Sequence, residues 1–221
     1  MTRRLITMVL VSTVALLMGS AGLASATETP SPDKATAIAA HELGVQAESR
    51  VLNYTWQRQQ TGYWCGPGST WIALSTRVSP PSQQTLANYM GTHTGGTDHI
   101  GLVRNALNRF ANTQWFAAKN MADPPSTAQR DLLKRDVLLN LDNGYPLVAN
   151  VISGWRPPGY PGGTIYHYVA IVGYKDHGNT VLVADPAGEG AGGGGWANVP
   201  RAYWVSTWNM GTWIGGKGYA A

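Results

Sequence analysis

Hydrophobic positions change period about two-thirds of the way along this chain. Before residue 145 they recur at helical spacing. Ser69-Thr-Trp-Ile-Ala-Leu follows Cys65-Gly-Pro-Gly, and proline is favoured in a first helical turn, so a helix is predicted to begin at or beside Cys65. Pro80-Pro81 interrupts the chain, and Ser82 can cap a helix running through Met90. Asp98 can cap another, with Ile100, Val103, Ala106, Leu107 and Phe110 on one stripe. Ser126-Thr-Ala-Gln129 is a capping box opening a long helix to about residue 143, stopped by Gly144. Short strands are expected at 51–56 and 114–117. After residue 145 the pattern becomes short runs rich in Val, Ile and Tyr, which predict strands at 145–152, 166–174 and 180–184. Helices first and antiparallel strands second is an α+β layout.

Composition narrows the class. A chain of 221 residues with 43% hydrophobic content suits one domain with a sizeable core. Nine Trp and ten Tyr against two Phe supply rings with polar tips, which suit a cleft as well as a core. Residues 1–26 read as a secretory signal peptide: Arg3 and Arg4, an apolar run, then Ala24-Ser25-Ala26 as the cleavage site. That run is too short to span a bilayer, so no membrane association is expected after cleavage. Removal of Arg3 and Arg4 brings the net charge from +4 to +2. No basic cluster with interleaved aromatics is present, which argues against a nucleic-acid partner. Residues 27–50 read as a linker or short pro-segment, with a short helix possible from Asp33 onwards.

Cysteine usage then points to chemistry. Secreted chains use cysteines in pairs, and Cys65 stands alone. It can be an inert buried thiol, an intermolecular bridge or a reactive nucleophile. A helix N-terminus favours the thiolate, the nucleophilic form. His167 opens the strand His-Tyr-Val-Ala-Ile-Val and could reach across a cleft as a base; it could equally be a strand-end histidine bonded to backbone. Asp185 ends the next strand, where it can accept Nδ1–H from His167; Asp-Pro is also a common turn.

Gln59, Cys65-Gly-Pro, His167-Tyr-Val-Ala-Ile-Val-Gly-Tyr and Val183-Ala-Asp185-Pro186 together resemble the papain-fold C-thirty-nine-like peptidases, related to bacteriocin-leader-processing peptidases. Gly96-Thr-Asp-His-Ile-Gly-Leu-Val, Thr127-Ala-Gln-Arg-Asp-Leu-Leu and Gly218-Tyr219-Ala220 are similar to the peptidase domain of mycobacteriophage endolysins and secreted actinobacterial relatives. The resemblance implies a papain-like fold over residues 51–221, with a helical N-terminal lobe packed on a C-terminal antiparallel sheet. It implies a cysteine peptidase with Cys65 as nucleophile, His167 as base, Asp185 as orienter and Gln59 as oxyanion donor. Glu189 is a second choice for orienter, and Gln57 and Gln60 are off-register glutamines expected to be solvated. The expected substrate is a peptide, in particular cell-wall peptidoglycan, met outside the cell or at the cell wall by a monomer. Proteins or leader peptides as substrates, and a non-catalytic wall-binding module, are the alternatives.

Two further patterns are set aside. His93, Asp98 and His99 could be written as metal ligands but lack the spacing of zinc sites, so no metal or cofactor is expected. Gly190-Ala-Gly-Gly-Gly-Gly195 fits a dinucleotide fingerprint, yet no apolar helix follows it. It reads as a surface loop, and with residues 157–163 is expected to rim the cleft.

Overall fold

The computed structural model describes residues 28–44, 47–152 and 154–221. The proposed signal peptide lies outside them. The elements follow in order: α1 (Pro32–Leu43), β1 (Arg50–Val51), α2 (Cys65–Leu74), α3 (Gln83–Met90), α4 (Ile100–Phe110), β2 (Ala118–Asn120), α5 (Thr127–Asp142), β3 (Leu147–Ile152), β4 (Tyr166–Lys175), β5 (Thr180–Ala184), β6 (Ala202–Ser206), α6 (Thr207–Ile214) and β7 (Gly218–Ala220). All strand pairs are antiparallel, in the order β2-β7-β3-β4-β5-β6, with β1 pairing β4 off this path. No described helix is long and apolar enough to cross a membrane.

Capping residues set several boundaries. Ser82 accepts from the Thr85 N–H at 3.1 Å, and Ser126 and Gln129 form the full capping box. Asp98 does not cap α4. His99 holds that position without a side-chain bond, and Asp98 pairs instead with His93 at 2.9 Å. The strand expected at 51–56 is limited to Arg50–Val51, although the Leu52 N–H still donates to the Val172 carbonyl of β4 at 2.9 Å. The strand expected at 114–117 lies at Ala118–Asn120, where it pairs β7.

The sheet is covered on both faces. Side chains alternate across a strand, and β4 shows the consequence. Val169 and Ile171 join a core shared with Leu133, Val137 and Leu141 of α5 and Met210, Trp213 and Ile214 of α6. Tyr168, Ala170 and Val172 join a second core with α2, α3 and α4. The first lobe is thus helical as expected, but α5 crosses to the far face and is met there by α6. α2 packs directly on β4, which sets the Cys65 end of the helix against the His167 end of the strand.

Candidate active site

Cys65 is the first residue of α2, and Trp64 before it caps nothing with its side chain. In that first turn a backbone N–H has no carbonyl four residues back within the helix. Two glycines let the helix start sit where it does. A Cβ at Gly66 would collide with Thr97, and one at Gly68 would lie 2.7 Å from the Pro186 Cβ. Ser69 Oγ donates to the Tyr168 carbonyl at 2.7 Å, tying the next turn to β4. The chain after Asp185 and the strand of His167 are therefore both held against the Cys65 helix.

His167 and Asp185 meet as the strand pairing predicts. Ala170 faces Ala184 across β4 and β5, so Asp185 continues alongside the start of β4. His167 Nε2 lies 2.8 Å from Asp185 Oδ1. The expected contact through Nδ1 is corrected: it is Nε2 that faces the carboxylate. Cys65 is close enough to act on the same ring, and Nδ1 is the nitrogen not taken by the carboxylate. Cys65 is 9% exposed, His167 3% and Asp185 not at all, so solvent competes little for these contacts.

Asp185 has a complete set of donors. Oδ1 accepts from His167 and from the Ala187 N–H at 2.8 Å. Oδ2 accepts from the Tyr203 hydroxyl at 2.7 Å and from the Tyr160 hydroxyl. The two hydroxyl oxygens are also 2.7 Å apart. The Asp185 backbone is fixed as well: Trp56 Nε1 donates to its carbonyl at 2.7 Å, and its N–H donates to the Arg201 carbonyl at 2.8 Å. Trp196 covers the imidazole, ring centroids 5.0 Å apart, and Tyr160 lies between Trp196 and Trp213 at 4.9 and 5.3 Å.

Electrostatics follow from this packing. Burial alone would lower the His167 pKa, but the Asp185 charge and hydrogen bond, with a smaller part from Cys65, raise it to about 10. Burial would likewise raise Asp185, and it is outweighed by His167 and the two tyrosines, which hold the carboxyl below its ordinary value. Both tyrosines are pushed well above the usual phenol range by burial and by Asp185, so they stay protonated. The arrangement is a buried imidazolium with a carboxylate on one side and a sulfur on the other.

Gln59 is 4% exposed and packs beside this group. Its N–H donates to the Pro186 carbonyl at 2.8 Å, and its Nε2 donates to the Thr61 carbonyl at 2.8 Å. Nε2 carries a second hydrogen, and Oε1 is buried without a partner. The other glutamines differ from expectation in one respect: Gln57 is not simply solvated, since its side chain accepts from Gln83 Nε2 at 2.7 Å. Gln60 is exposed. Glu189 points away from His167 into a bidentate pair with Arg201, both contacts 2.7 Å. His93 and Asp98 form an exposed pair, and among the described residues no three potential metal ligands meet. The rim segments do more than border the cleft, since residues 157–163 supply Tyr160 and the glycine run leads into Trp196. Sequence reasoning missed Tyr160, Trp196 and Tyr203; the alternation of Tyr203 and Val205 on a short strand was the available signal for the last.

The family model described as peptidase C39 like matches residues 51–212, and the chain belongs to that family. It is a cysteine-type peptidase with the papain-like α+β fold. Among solved structures, a double-glycine-motif protease from an AMS/PCAT transporter, in complex with the leader peptide, aligns at 13% identity and TM-score 0.50, covering 80% of this chain and 96% of that one. The peptidase domain of Streptococcus ComA, a bifunctional ABC transporter of a quorum-sensing pathway, aligns at 16% identity and TM-score 0.46, covering 76% and 96%. Xylellain, a cysteine protease from Xylella fastidiosa, aligns at 14% and 0.48, covering 88% and 90%. No curated protein matches.

Proposed function

We propose that this chain is a secreted peptidase that cleaves cell-wall peptides through Cys65, His167, Asp185 and Gln59. The observation that carries the chemistry is the His167 ring held between the Cys65 sulfur and the Asp185 carboxylate. In this reading the Cys65 sulfur attacks the scissile carbonyl carbon. The oxyanion takes hydrogen bonds from the Cys65 N–H and the second Gln59 Nε2 hydrogen. His167 gives its proton to the leaving amine as the C–N bond breaks, leaving a thioester. Water then attacks the thioester as His167 takes its proton, the C–S bond breaks, the acid leaves, and the Cys65 thiolate is restored beside protonated His167. Asp185 keeps the ring in plane throughout.

Secretion is supported by the pattern of residues 1–26, and the wall substrate by the endolysin-like stretches at 96–103, 127–133 and 218–220. A second reading, protein or leader-peptide cleavage, draws on the neighbour solved with a leader peptide. Purified protein is incubated with actinobacterial peptidoglycan and with casein, and new amino termini are read by mass spectrometry. Release from peptidoglycan that vanishes in Cys65→Ser supports the wall reading. Release from casein alone moves the substrate to proteins. Activity that survives in Cys65→Ser removes the mechanism.

A further inference from the structure

Arg58 directly precedes Gln59 and is exposed, whereas Gln59 is buried. Among the described residues its guanidinium pairs with no acid. Its one hydrogen bond is long, from Nη2 to the Glu189 carbonyl at 3.4 Å. The Glu189 carboxylate is taken by Arg201, which it binds through both oxygens. Residues 58–62, with Gly190, Ala191 and Gly193, line a cavity of about 400 Å³, within the range of small-ligand sites. No acidic residue lines it, and Arg58 is its only charged residue. On the glycine-run side only Ala191 carries a side chain, so that wall is mostly backbone. Its N–H groups are committed: Gly190 to the Trp196 carbonyl at 3.2 Å, Ala191 to the Gly188 carbonyl at 3.2 Å, and Gly193 to the Gly190 carbonyl at 3.1 Å. Recognition of a charged ligand is therefore left to Arg58.

The cavity adjoins the catalytic group. Gln59 stands in its wall, and the Gln59 N–H is tied to the Pro186 carbonyl just after Asp185. The bond from Gly190 to Trp196 closes the glycine run into a loop, and Trp196 covers the His167 ring. In the mechanism above, His167 gives its proton to the leaving amine, so that half of the substrate passes the covered imidazole. We propose, resting on that reading of Cys65 and His167, that this cavity receives the residues of the leaving group and favours a carboxylate there, paired with Arg58. A guanidinium can hold a carboxylate through two parallel N–H donors. The carboxylate is either the free C-terminus of a short leaving peptide or an acidic side chain of a longer one.

The test is NMR titration of isotope-labelled Cys65→Ala protein with three dipeptides: Ala-Ala, its C-terminal amide, and Ala-Glu with an amidated C-terminus. Shifts are expected at the amides of Gly62, Ala191 and Gly193. At least one of the two acids should bind about fivefold tighter than the Ala-Ala amide, the size of an exposed ion pair, and the difference should shrink in strong salt. Arg58→Gln should erase it, and Arg58→Lys should keep part of it. Tighter binding of Ala-Ala assigns the site to a peptide C-terminus, and tighter binding of the amidated Ala-Glu assigns it to an acidic side chain. In wild type the preferred peptide should slow alkylation of Cys65 by iodoacetamide, because its amino end lies beside the imidazole. None of these readouts needs turnover, so failure of the peptidase reading shows separately, as activity surviving in Cys65→Ser. No binding, equal binding of acid and amide, a preference that survives Arg58→Gln, or alkylation unchanged at saturation overturns the proposal.

Discussion

Tyr203→Phe removes one hydroxyl from the four donors on Asp185 and leaves the ring in place. A hydrogen bond to a charged group contributes about 1.5–3 kcal/mol. The lower end applies here for a countable reason. Three oxygen–oxygen contacts join Tyr160, Tyr203 and Asp185 Oδ2, but two hydroxyls carry only two protons. One contact is always unbridged, and the substitution relieves it. The expected destabilisation at pH 7 is therefore about 1.5 kcal/mol. Asp185 has a depressed pKa in the folded state, so its contribution exists above the unfolded carboxylate value and is lost as pH falls through the folded one. The variant's folded pKa lies closer to the unfolded value. Its stability deficit should therefore be full at neutral pH and fade once Asp185 is protonated in both proteins. Urea unfolding of both proteins at pH 7 and at successively lower pH measures this. If the whole deficit is expressed in the aim of His167, turnover falls up to about tenfold. A deficit of the same size at every pH would show that Tyr203 merely packs, and would refute the reasoning.

Three more outcomes are expected. Gln59→Ala should lower turnover on the order of a hundredfold with little change in KM, while Gln60→Ala stays near wild type; the opposite pattern in steady-state kinetics would move the oxyanion donor. Asp185→Ala should lower turnover at least about tenfold and Asp185→Asn less, since an amide oxygen still accepts from Nε2–H, whereas Glu189→Ala loses only its pair with Arg201; a large loss confined to Glu189→Ala, in rates on one substrate, would contradict the geometry. The raised His167 pKa gives stability that is complete below the ordinary histidine value near 6.5 and is lost as pH rises through about 10; chemical denaturation across that window should show the decline in wild type, and its persistence in His167→Gln would assign it elsewhere.

Local signals carried the sequence reading furthest. The Ser126–Gln129 box and the Ser82 cap act within four residues, and both stand as expected. His167 and Asp185 could be paired because one short turn joins their strands. What escaped depends on contacts far apart in the chain. Tyr160 reaches Asp185 across 25 residues, and Trp56 does so across 129. Which imidazole nitrogen faces the carboxylate depends on where α2 approaches β4, which no pattern along β4 encodes. Residues 202–220 carry no periodic signal, because their strand, helix and strand are short and rich in Gly and Trp. The placement of α5 on the far face was hidden too, since an apolar stripe does not say which side of a sheet it will cover.

The close approach at Gly68 has a mechanical meaning. In the turn after Asp185 the Pro186 ring rests on the Cys65 helix at Gly68, which has no side chain to hold it off. In the proposed mechanism the nucleophile and the orienter therefore belong to one rigid part, although they arise from opposite halves of the chain. Nothing soft lies between them to give way first under heat or strain. Loss of catalytic alignment and loss of the native fold should accordingly be a single event in this enzyme, without an intact but misaligned form between them.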